Sequence, residues 1–227
     1  MELLNLKQGS EEWLAVRLSH FTASEAPIMM GASKHMSRDD LLTYKTTKVE
    51  EEVGYFTQKI YDKGHEVEEM ARPIAERILG EDLFPVTGAL MVEGLPLLAS
   101  FDGLTMMEDK GFEHKQFNAE KAKNLESSQE IQSEHYWQLE QQMLVSEAES
   151  ILFMMSDGTE TNNVHLFYQS VPQRRAALIA GWKQFQKDLE NHEPKVYEPE
   201  LEAEAIMDLP ALTVQLVGEV KVSELLS

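Results

Sequence analysis

Hydrophobic and polar positions along this chain follow helical and strand periods in turn. Apolar residues at helical spacing, often preceded by capping residues, predict helices over 10–18, 22–31, 37–48, 58–79, 128–145 and 173–191. Short apolar or alternating runs predict strands within 83–104, 111–117, 151–155 and 164–168, with breaks at Gly88, Gly94 and Gly103. Helices on both sides of the strand-rich middle favour an α/β fold with a central mixed sheet flanked by helices.

A predicted hairpin in the middle of the chain carries the residues with the clearest chemistry. Its first, apolar strand is expected to end at Asp102, and its second, short strand carries Glu113, His114 and Lys115. Because side chains alternate along a strand, Glu113 and Lys115 share one face while His114 points the other way. Folding of the hairpin would bring Asp102 near Glu113, so that two carboxylates meet one ammonium group.

An aspartate, ten further residues and then Glu-x-Lys is a spacing typical of metal-dependent nucleases. Carboxylate oxygens suit Mg²⁺, which lowers the pKa of a bound water and neutralises charge on a phosphate. A neighbouring lysine stabilises the transition state electrostatically. These residue types are common, however, and spacing alone leaves open an exposed surface ion pair worth roughly 0–1 kcal/mol.

Length and composition favour one domain with a tail. The chain has 227 residues, 42% of them hydrophobic, which is enough for a sizeable core. We expect a single nuclease domain over 1–193 and an acidic tail over 194–227 that forms an added edge strand or a docking segment. Neither a membrane span nor a signal peptide is expected. The absence of cysteine favours a cytoplasmic location.

The net charge of −20 argues against DNA binding in general, because phosphate contacts need lysine and arginine. The segment from Glu193 onward contains 8 acidic and 2 basic residues, so the rest of the chain still carries −14. A nuclease with this charge must gather its basic residues in one cleft or channel, since binding responds to the local potential.

Four segments spread over residues 13–143 carry a resemblance to a known family. They are Trp13–Leu18 with Thr22–Glu25, Gly64–Ala71, Ala99–Gly103 with Glu113–Lys115, and Tyr136–Met143. In this order, on the expected helices and strands, they resemble the phage λ exonuclease (YqaJ-type viral recombinase) family, a branch of the PD-(D/E)xK nuclease superfamily. The resemblance implies a restriction-endonuclease-like core.

The same resemblance implies a metal site. Asp102 and Glu113 resemble the metal-binding carboxylates of the family, and Glu68 resembles a further acidic residue that reaches the metals from its helix. His114 is expected to contribute its backbone carbonyl. The implied cofactor is Mg²⁺, two ions per active site, with Mn²⁺ as a substitute.

The resemblance also implies catalytic and substrate-binding roles. Lys115 resembles the catalytic lysine and Gln138 the glutamine that buttresses it. Arg17, Ser24 and Ser100 resemble the pocket that holds a terminal 5′-phosphate. Arginine pairs bidentately with phosphate and hydroxyl groups donate to its oxygens, while Ser24 near a helix start adds the positive end of the helix dipole.

A member of this family is expected to be a Mg²⁺-dependent 5′→3′ exodeoxyribonuclease. It digests one strand of linear double-stranded DNA and leaves 3′ single-stranded overhangs for phage-type homologous recombination by strand annealing. The family also implies a ring-shaped homotrimer, a single-strand annealing protein as partner, and a phage or prophage origin with action in the bacterial cytoplasm. Two alternatives remain: a structure-specific endonuclease of the same fold, and a non-catalytic acidic DNA mimic or scaffold protein, which the net charge favours.

The sequence departs from the family pattern at two points. Phe101 precedes the aspartate where the superfamily has proline, a change we expect to be tolerated because proline donates nothing to the chemistry. The family uses a further basic residue beyond the Glu-x-Lys strand for phosphate binding. Here no arginine occurs between Arg77 and Arg174, so Lys121 or Lys123 must serve.

Overall fold

A mixed β-sheet runs through the part of the chain that the computed structural model describes, residues 1–6, 9–48 and 55–194. Its strands are β1 (Glu2–Leu4), β2 (Phe21–Thr22), β3 (Phe84–Val92), β4 (Leu95–Leu104), β5 (Lys110–Gln116), β6 (Ser150–Ser156) and β7 (Asn163–Tyr168). They lie in the order β1-β3-β4-β5-β6-β7, and β2 pairs with β4 outside this path. The β2–β4 and β5–β6 pairs are parallel and the others antiparallel, so the predicted mixed sheet is confirmed.

Helices flank this sheet, as predicted. They are α1 (Glu11–Ser19), α2 (Ala26–Met29), α3 (Arg38–Thr47), α4 (Tyr55–Leu79), α5 (Ala119–Ser128), α6 (Ser133–Ser146) and α7 (Pro172–Glu190), and a 3₁₀ turn over Ala23–Glu25 leads into α2. Side-chain caps fix several starts: Ser10 accepts a hydrogen bond from the backbone of Trp13, and Ser37 accepts one from Asp40. The long helix α4 continues without a break through Gly64 and Pro73.

Apolar clusters join these helices to the sheet. Small residues of α4, Ala71 and Ala75, pack against Phe112 and Met154 of β5 and β6. A second cluster joins β4 to α6 and α7, with Phe21, Trp182 and Phe185 in mutual ring contact. Burial of these side chains holds α4 and α6 in fixed positions next to the central strands, and both helices carry predicted site residues.

An irregularity in β4 occurs at Asp102. Phe84 of β3 faces Leu104, but Val86 faces Phe101, so that Pro85 alone faces two residues of β4. This count defines a β-bulge formed by Asp102 and Gly103. Pro85 has no backbone N–H to donate, and proline within sheets is confined to edges, strand starts and bulges. The bulge therefore follows from the sequence of β3 as much as from that of β4.

Two predicted strand breaks were wrong. Gly88 and Gly103 lie inside β3 and β4 instead of ending strands. Both glycines leave room for a neighbour: a Cβ atom added at Gly88 would lie 2.4 Å from Sδ of Met1, and one at Gly103 would lie 2.8 Å from Cβ of Leu83. They serve close packing, and the chain turns at Glu93–Gly94, as predicted, and again after Leu104.

Other bounds also differ from the prediction. The helix predicted over 128–145 begins at Ser133, and a separate helix, α5, precedes it. The short strands β1 and β2 were not predicted, because two or three residues carry too little periodicity to be recognised. β1 pairs with β3, and β2 pairs with Leu97 and Leu98 of β4.

The predicted tail, with its possible edge strand, lies beyond Pro194 and outside the described residues, so the division at 193/194 stays a prediction. None of the helices in the described ranges combines the length and the apolar character that crossing a lipid bilayer requires.

Candidate active site

The antiparallel pairing of β4 and β5 brings the predicted catalytic residues together. Only Gly103–Phe112 and Leu104–Gly111 are paired in this ladder, and the same register sets Asp102 opposite Glu113. In place of a further backbone pair, the Asp102 carboxylate oxygen Oδ2 accepts a hydrogen bond from the His114 N–H at 2.7 Å. The side chain of the bulge residue thereby bridges the point at which the two strands separate.

Helix α6 holds the Glu113 carboxylate, which is only 3% exposed. Gln138 Nε2 donates to Oε1 at 2.7 Å, and Gln142 Nε2 donates to Oε2 at 2.6 Å. Residues i and i+4 of a helix lie on one face, which explains how two amides of α6 reach one carboxylate. The orientation of Glu113 is therefore fixed on both oxygens.

Lys115 completes this arrangement. Its Nζ lies 2.5 Å from Glu113 Oε1 and 3.1 Å from Gln138 Oε1, so Gln138 contacts both the lysine and the carboxylate. Burial by itself lowers the pKa of Lys115, but the charges of Glu113 and Asp102 outweigh it and raise the pKa above its usual value. Lys115 is therefore protonated at neutral pH.

Negative charge accumulates at this point. Burial raises the pKa of Asp102 well above its usual range, and the charges of Glu113 and Glu68 add to this effect. Burial likewise raises the pKa of Glu68, against the opposing attraction of Arg72. The charges of Glu68 and Glu113 both act on Asp102. The carboxylate of α4 therefore belongs to the same electrostatic environment as those of β4 and β5.

Arg72 ties α4 to β4. Its Nε donates to the backbone carbonyl of Asp102 at 3.0 Å, and its second guanidinium nitrogen Nη2 donates to Glu68 Oε1 at 3.0 Å. The arginine thus fixes Glu68 relative to Asp102 and partly neutralises it. Sequence reasoning missed Arg72, although its position four residues after Glu68 on a predicted helix was a usable signal.

The side chain of His114 lies away from the carboxylates, as the strand alternation predicted. Its Nε2 is within 3.0 Å of Ser156 Oγ and 3.2 Å of the Ser156 carbonyl oxygen. Burial lowers the pKa of His114 to about 4. The imidazole is neutral and its Nε2 contacts Ser156, so its role is structural. Only the backbone of His114 is available to the site.

The predicted phosphate-pocket residues lie close together around Trp13. An Arg17 guanidinium nitrogen is 3.3 Å from Ser24 Oγ, and the guanidinium lies 4.5 Å from the centre of the Trp13 ring. Trp13 Nε1 donates to Ser100 Oγ at 3.4 Å, and that hydroxyl also contacts Thr87. Trp13 therefore links Arg17 to Ser100, a role that the sequence argument had not assigned to it.

Gln142 connects this pocket to the carboxylates. Its Nε2 donates both to the Ser100 carbonyl oxygen, at 3.0 Å, and to Glu113. Its own Oε1 is buried, and no residue in the described part of the chain forms a hydrogen bond with it. Gln141 and Gln142, which had no role in the sequence-based prediction, are both fully buried.

Of the two lysines proposed to replace the missing arginine, Lys121 is the better placed. It lines a cavity of about 290 Å³ together with Lys34, His135, Phe153 and others. In the parallel β5–β6 ladder Phe153 is the partner of Glu113, so this cavity lies one strand away from the carboxylates. Lys121 Nζ forms an ion pair with Glu134 at 2.9 Å, and both lysines are exposed on α5.

Among the described residues, no three side chains of histidine, cysteine, aspartate or glutamate are grouped as a ready-made metal site. Lys115 contacts one oxygen of Glu113, and Arg72 contacts one oxygen of Glu68. The donor set nevertheless fits a hard divalent cation. Partly buried carboxylates whose ionisation is disfavoured by their neighbours gain most from an added positive charge.

The strand order and the flanking helices define a class of fold, the restriction-endonuclease-like fold. An alkaline exonuclease from Laribacter hongkongensis has a similar structure, with a TM-score of 0.66 and 22% sequence identity over 80% of this chain and 93% of that one. A phage-related exonuclease from Haemophilus somnus 129PT is also similar, with a TM-score of 0.56 and 12% identity over 78% and 97%. At these identities the likeness shows the fold.

Residues 12–149 match the YqaJ-like viral recombinase domain, and the chain belongs to that family. The matched range contains every predicted site residue. Membership supports a role as a nuclease that acts on DNA. No curated protein matches the chain in sequence.

Proposed function

We propose that this protein is a Mg²⁺-dependent 5′→3′ exodeoxyribonuclease that digests one strand of linear double-stranded DNA. It leaves 3′ single-stranded overhangs for homologous recombination by strand annealing. The observation that carries this proposal is the convergence of Asp102, Glu113 and Lys115 beside two glutamines of α6. A surface ion pair without function would not be enclosed by buried amides and further carboxylates.

The proposed metal ligands are the carboxylates of Asp102, Glu113 and Glu68 and the backbone carbonyl of His114. Two Mg²⁺ ions, for which Mn²⁺ can substitute, would polarise the scissile phosphate and lower the pKa of an attacking water. The raised pKa values of Asp102 and Glu68 support this assignment, because the same negative charge that disfavours ionisation attracts a divalent cation.

Lys115 acts in this proposal as a donor. Its raised pKa keeps it protonated at neutral pH, so it orients the attacking water and stabilises charge on the phosphate oxygens, and it does not serve as a general base. Gln138 holds the ammonium group through its Oε1 and Glu113 through its Nε2. One side chain therefore keeps the lysine and the carboxylate at a fixed separation.

The proposed polarity comes from the pocket formed by Arg17, Ser24 and Ser100. These groups supply a guanidinium and two hydroxyls, which suit a terminal phosphate. The connection from Ser100 through Gln142 to Glu113 supports a fixed spacing between the anchored 5′ end and the scissile bond. An enzyme that must seat a 5′ end before cleavage degrades in the 5′→3′ direction.

The proposed setting follows the family resemblance: a ring-shaped homotrimer around the DNA, a single-strand annealing protein as partner, and the cytoplasm of a bacterial host of a phage or prophage. A ring would also reconcile the net charge of −20 with DNA binding. Basic groups near the site, such as Arg17, Lys34 and Lys121, would face the channel while acidic groups face the solvent.

The experiment is digestion of linear duplex DNA labelled at the 5′ or the 3′ end, with and without Mg²⁺ or Mn²⁺. We expect metal-dependent early release of the 5′ label as mononucleotide and no cleavage of covalently closed plasmid. Lys115→Ala should abolish turnover while duplex binding persists. Lys187→Ala, which removes an exposed lysine of α7, is the matched control and should digest normally.

Each alternative predicts a different outcome. Cleavage of the closed plasmid would establish an endonuclease of the same fold. Absence of digestion with either metal would favour the acidic DNA mimic or scaffold. Early release of the 3′ label would reverse the proposed polarity, and full activity of Lys115→Ala would remove the catalytic assignment.

A further inference from the structure

A buried ion pair lies behind the proposed phosphate pocket. Lys45 of α3 and Glu25 of the 3₁₀ turn are 7% and 5% exposed, and Nζ lies 2.9 Å from Oε2. Neither residue contacts the carboxylates of the metal site in the described structure. The pair was not singled out by any motif, since a lysine and a glutamate twenty residues apart carry no recognisable signal.

The ammonium group of Lys45 has three acceptors. Besides Glu25, it donates to the backbone carbonyl of Arg17 at 2.7 Å and to that of His20 at 2.8 Å. Arg17 lies in the last turn of α1, where carbonyl groups lack helical partners and a cation is favourable. All the donors of an ammonium group are thereby used, so Lys45 cannot itself bind substrate in this arrangement.

Glu25 holds the other half of the same segment. Its Oε2 also accepts the backbone N–H of Thr22 at 3.0 Å, and the Thr22 hydroxyl lies 3.2 Å from Ser24 Oγ. The residues before and after the bend between α1 and α2 are therefore bound to one ion pair. This bend carries both Arg17 and Ser24, whose side chains are 3.3 Å apart.

Stability alone does not explain this pair. Removing two charges from water is expensive, and well-packed apolar residues are often at least as stabilising as a buried ion pair. Burial lowers the pKa of Lys45 despite the attraction of Glu25, which shows that desolvation outweighs the attraction here. What the pair supplies is geometry, because its hydrogen bonds tie together the backbone at Arg17, His20 and Thr22.

We propose that Lys45 is a positioning residue that, paired with Glu25, holds Arg17 and Ser24 in register for a terminal 5′-phosphate and so sets the preference for phosphorylated DNA ends. This inference rests on the proposed function, and specifically on the phosphate pocket. It assigns end selectivity to a side chain that does not touch the DNA.

The test compares digestion of linear duplexes that differ only in carrying a 5′-phosphate or a 5′-hydroxyl. In Lys45→Met the ratio of kcat/KM values for the two ends should fall by about ten- to a hundredfold, since displacement of a binding group by about 1 Å can cost on the order of a hundredfold. The loss should appear mainly as a higher KM for the phosphorylated end. The weakened contact holds the 5′-phosphate equally in the ground state and in the transition state, so its loss weakens binding without slowing the chemical step. The rate on 5′-hydroxyl ends should not change.

Arg38→Met is the matched control. Arg38 lies on the same helix as Lys45 and forms an ion pair with Asp188 of α7 at 2.5 Å, away from the bend between α1 and α2. Its loss removes a cation from α3 and some stability but should leave the end preference at the wild-type value. A purely structural role for Lys45 predicts the same behaviour for Lys45→Met as for Arg38→Met.

Lys45→Met leaves the buried carboxylate of Glu25 without a neutralising cation and can fail to fold. Lys45→Met combined with Glu25→Gln leaves no unpaired charge, and the same fall in end preference is expected of it. Wild-type preference in either folded variant, together with loss of preference in Arg17→Ala, would overturn the inference while sparing the pocket. Absence of preference in the wild type, or its persistence in Arg17→Ala, would overturn the pocket and the inference with it.

Discussion

At the scale of single residues, His135 occupies an unusual environment. Its Nε2 is buried and has no hydrogen-bond partner among the described residues, although Glu134 Oε1 lies 3.5 Å away. The ring packs near Phe153, with 5.2 Å between the ring centres. Burial, followed by the positive charge of Lys115, lowers the pKa of His135 to about 4. The folded protein therefore holds this imidazole neutral beside the site.

This shift predicts a pH dependence of stability. Because the pKa of His135 is lower in the folded state than the usual 6.5, the unfolded chain binds the proton more tightly, and protonation favours unfolding. The contribution of His135 is fully present above pH 6.5 and is lost as the pH falls through about 4. Urea unfolding should be measured at several pH values between 6.5 and 4. As the pH falls, the free energy of unfolding should decrease less for His135→Phe than for the wild type.

His35→Gln, which replaces an exposed histidine, should retain the wild-type pH dependence. If the free energy of unfolding changed equally with pH in His135→Phe and in the wild type, the assignment of a lowered pKa to this ring would be contradicted. The comparison between variants isolates His135 from the carboxylates that also titrate in acid.

The site could be predicted where local geometry decides it. Strand alternation placed Glu113 and Lys115 on one face and His114 on the other, and the hairpin placed Asp102 opposite Glu113. The partners Arg72 and Gln142 could not be predicted by the same reasoning, because their roles depend on where α4 and α6 pack against the sheet. A polar side chain on a helix is usually exposed, and only the tertiary structure shows that Gln142 is not.

At the scale of elements, α6 concentrates buried polar groups. Gln141 donates to the carbonyl oxygens of Phe21 and Leu98 and accepts a bond from Trp182 Nε1, so it joins β2, β4 and α7. Gln142, the next residue, points to Glu113 and the Ser100 carbonyl. Successive helix residues lie about 100° apart, which separates a structural glutamine from one that contacts the site.

These adjacent residues provide a matched pair of substitutions. Gln142→Leu should lower kcat/KM by about ten- to a hundredfold and raise the Mg²⁺ concentration required, as loss of a group that orients a metal ligand does. Gln141→Leu should instead lower the free energy of unfolding by at least about 1–3 kcal/mol, because it leaves buried groups without partners. Steady-state digestion and urea unfolding separate the two effects. Equal effects of both substitutions on digestion would contradict the division of roles.

The elements themselves were predictable where the spacing of their apolar residues is clear. The long helices α4 and α7 and the strands β6 and β7 have clear periodicity, and their bounds agree with the prediction to within a few residues. Helix α5 was missed because its buried residues, Ala122 and Leu125, form too small an apolar face. The strands β1 and β2 exist because longer strands offer them free edges, which is a tertiary cause.

At the scale of the whole molecule, the charge distribution leads to a prediction about assembly. A net charge of −20 opposes binding of DNA to an isolated subunit. A ring can instead turn the basic groups near the site, such as Arg17 and Lys121, toward its channel. We expect native mass spectrometry or light scattering at physiological salt to give three times the 25.9 kDa of one chain. A monomer over a wide concentration range would contradict the proposed ring.

The bulge in β4 has a consequence for how this site can vary among homologous proteins. The direction of the Asp102 side chain is set by one surplus residue opposite Pro85, and since neighbouring strand positions point to opposite faces, loss of that residue would turn the carboxylate away from Glu113. Replacement of the residue before it, as with Phe101 here, leaves the direction unchanged. A change of the residue before the aspartate therefore leaves the site intact, while a single-codon deletion at the same place would inactivate it.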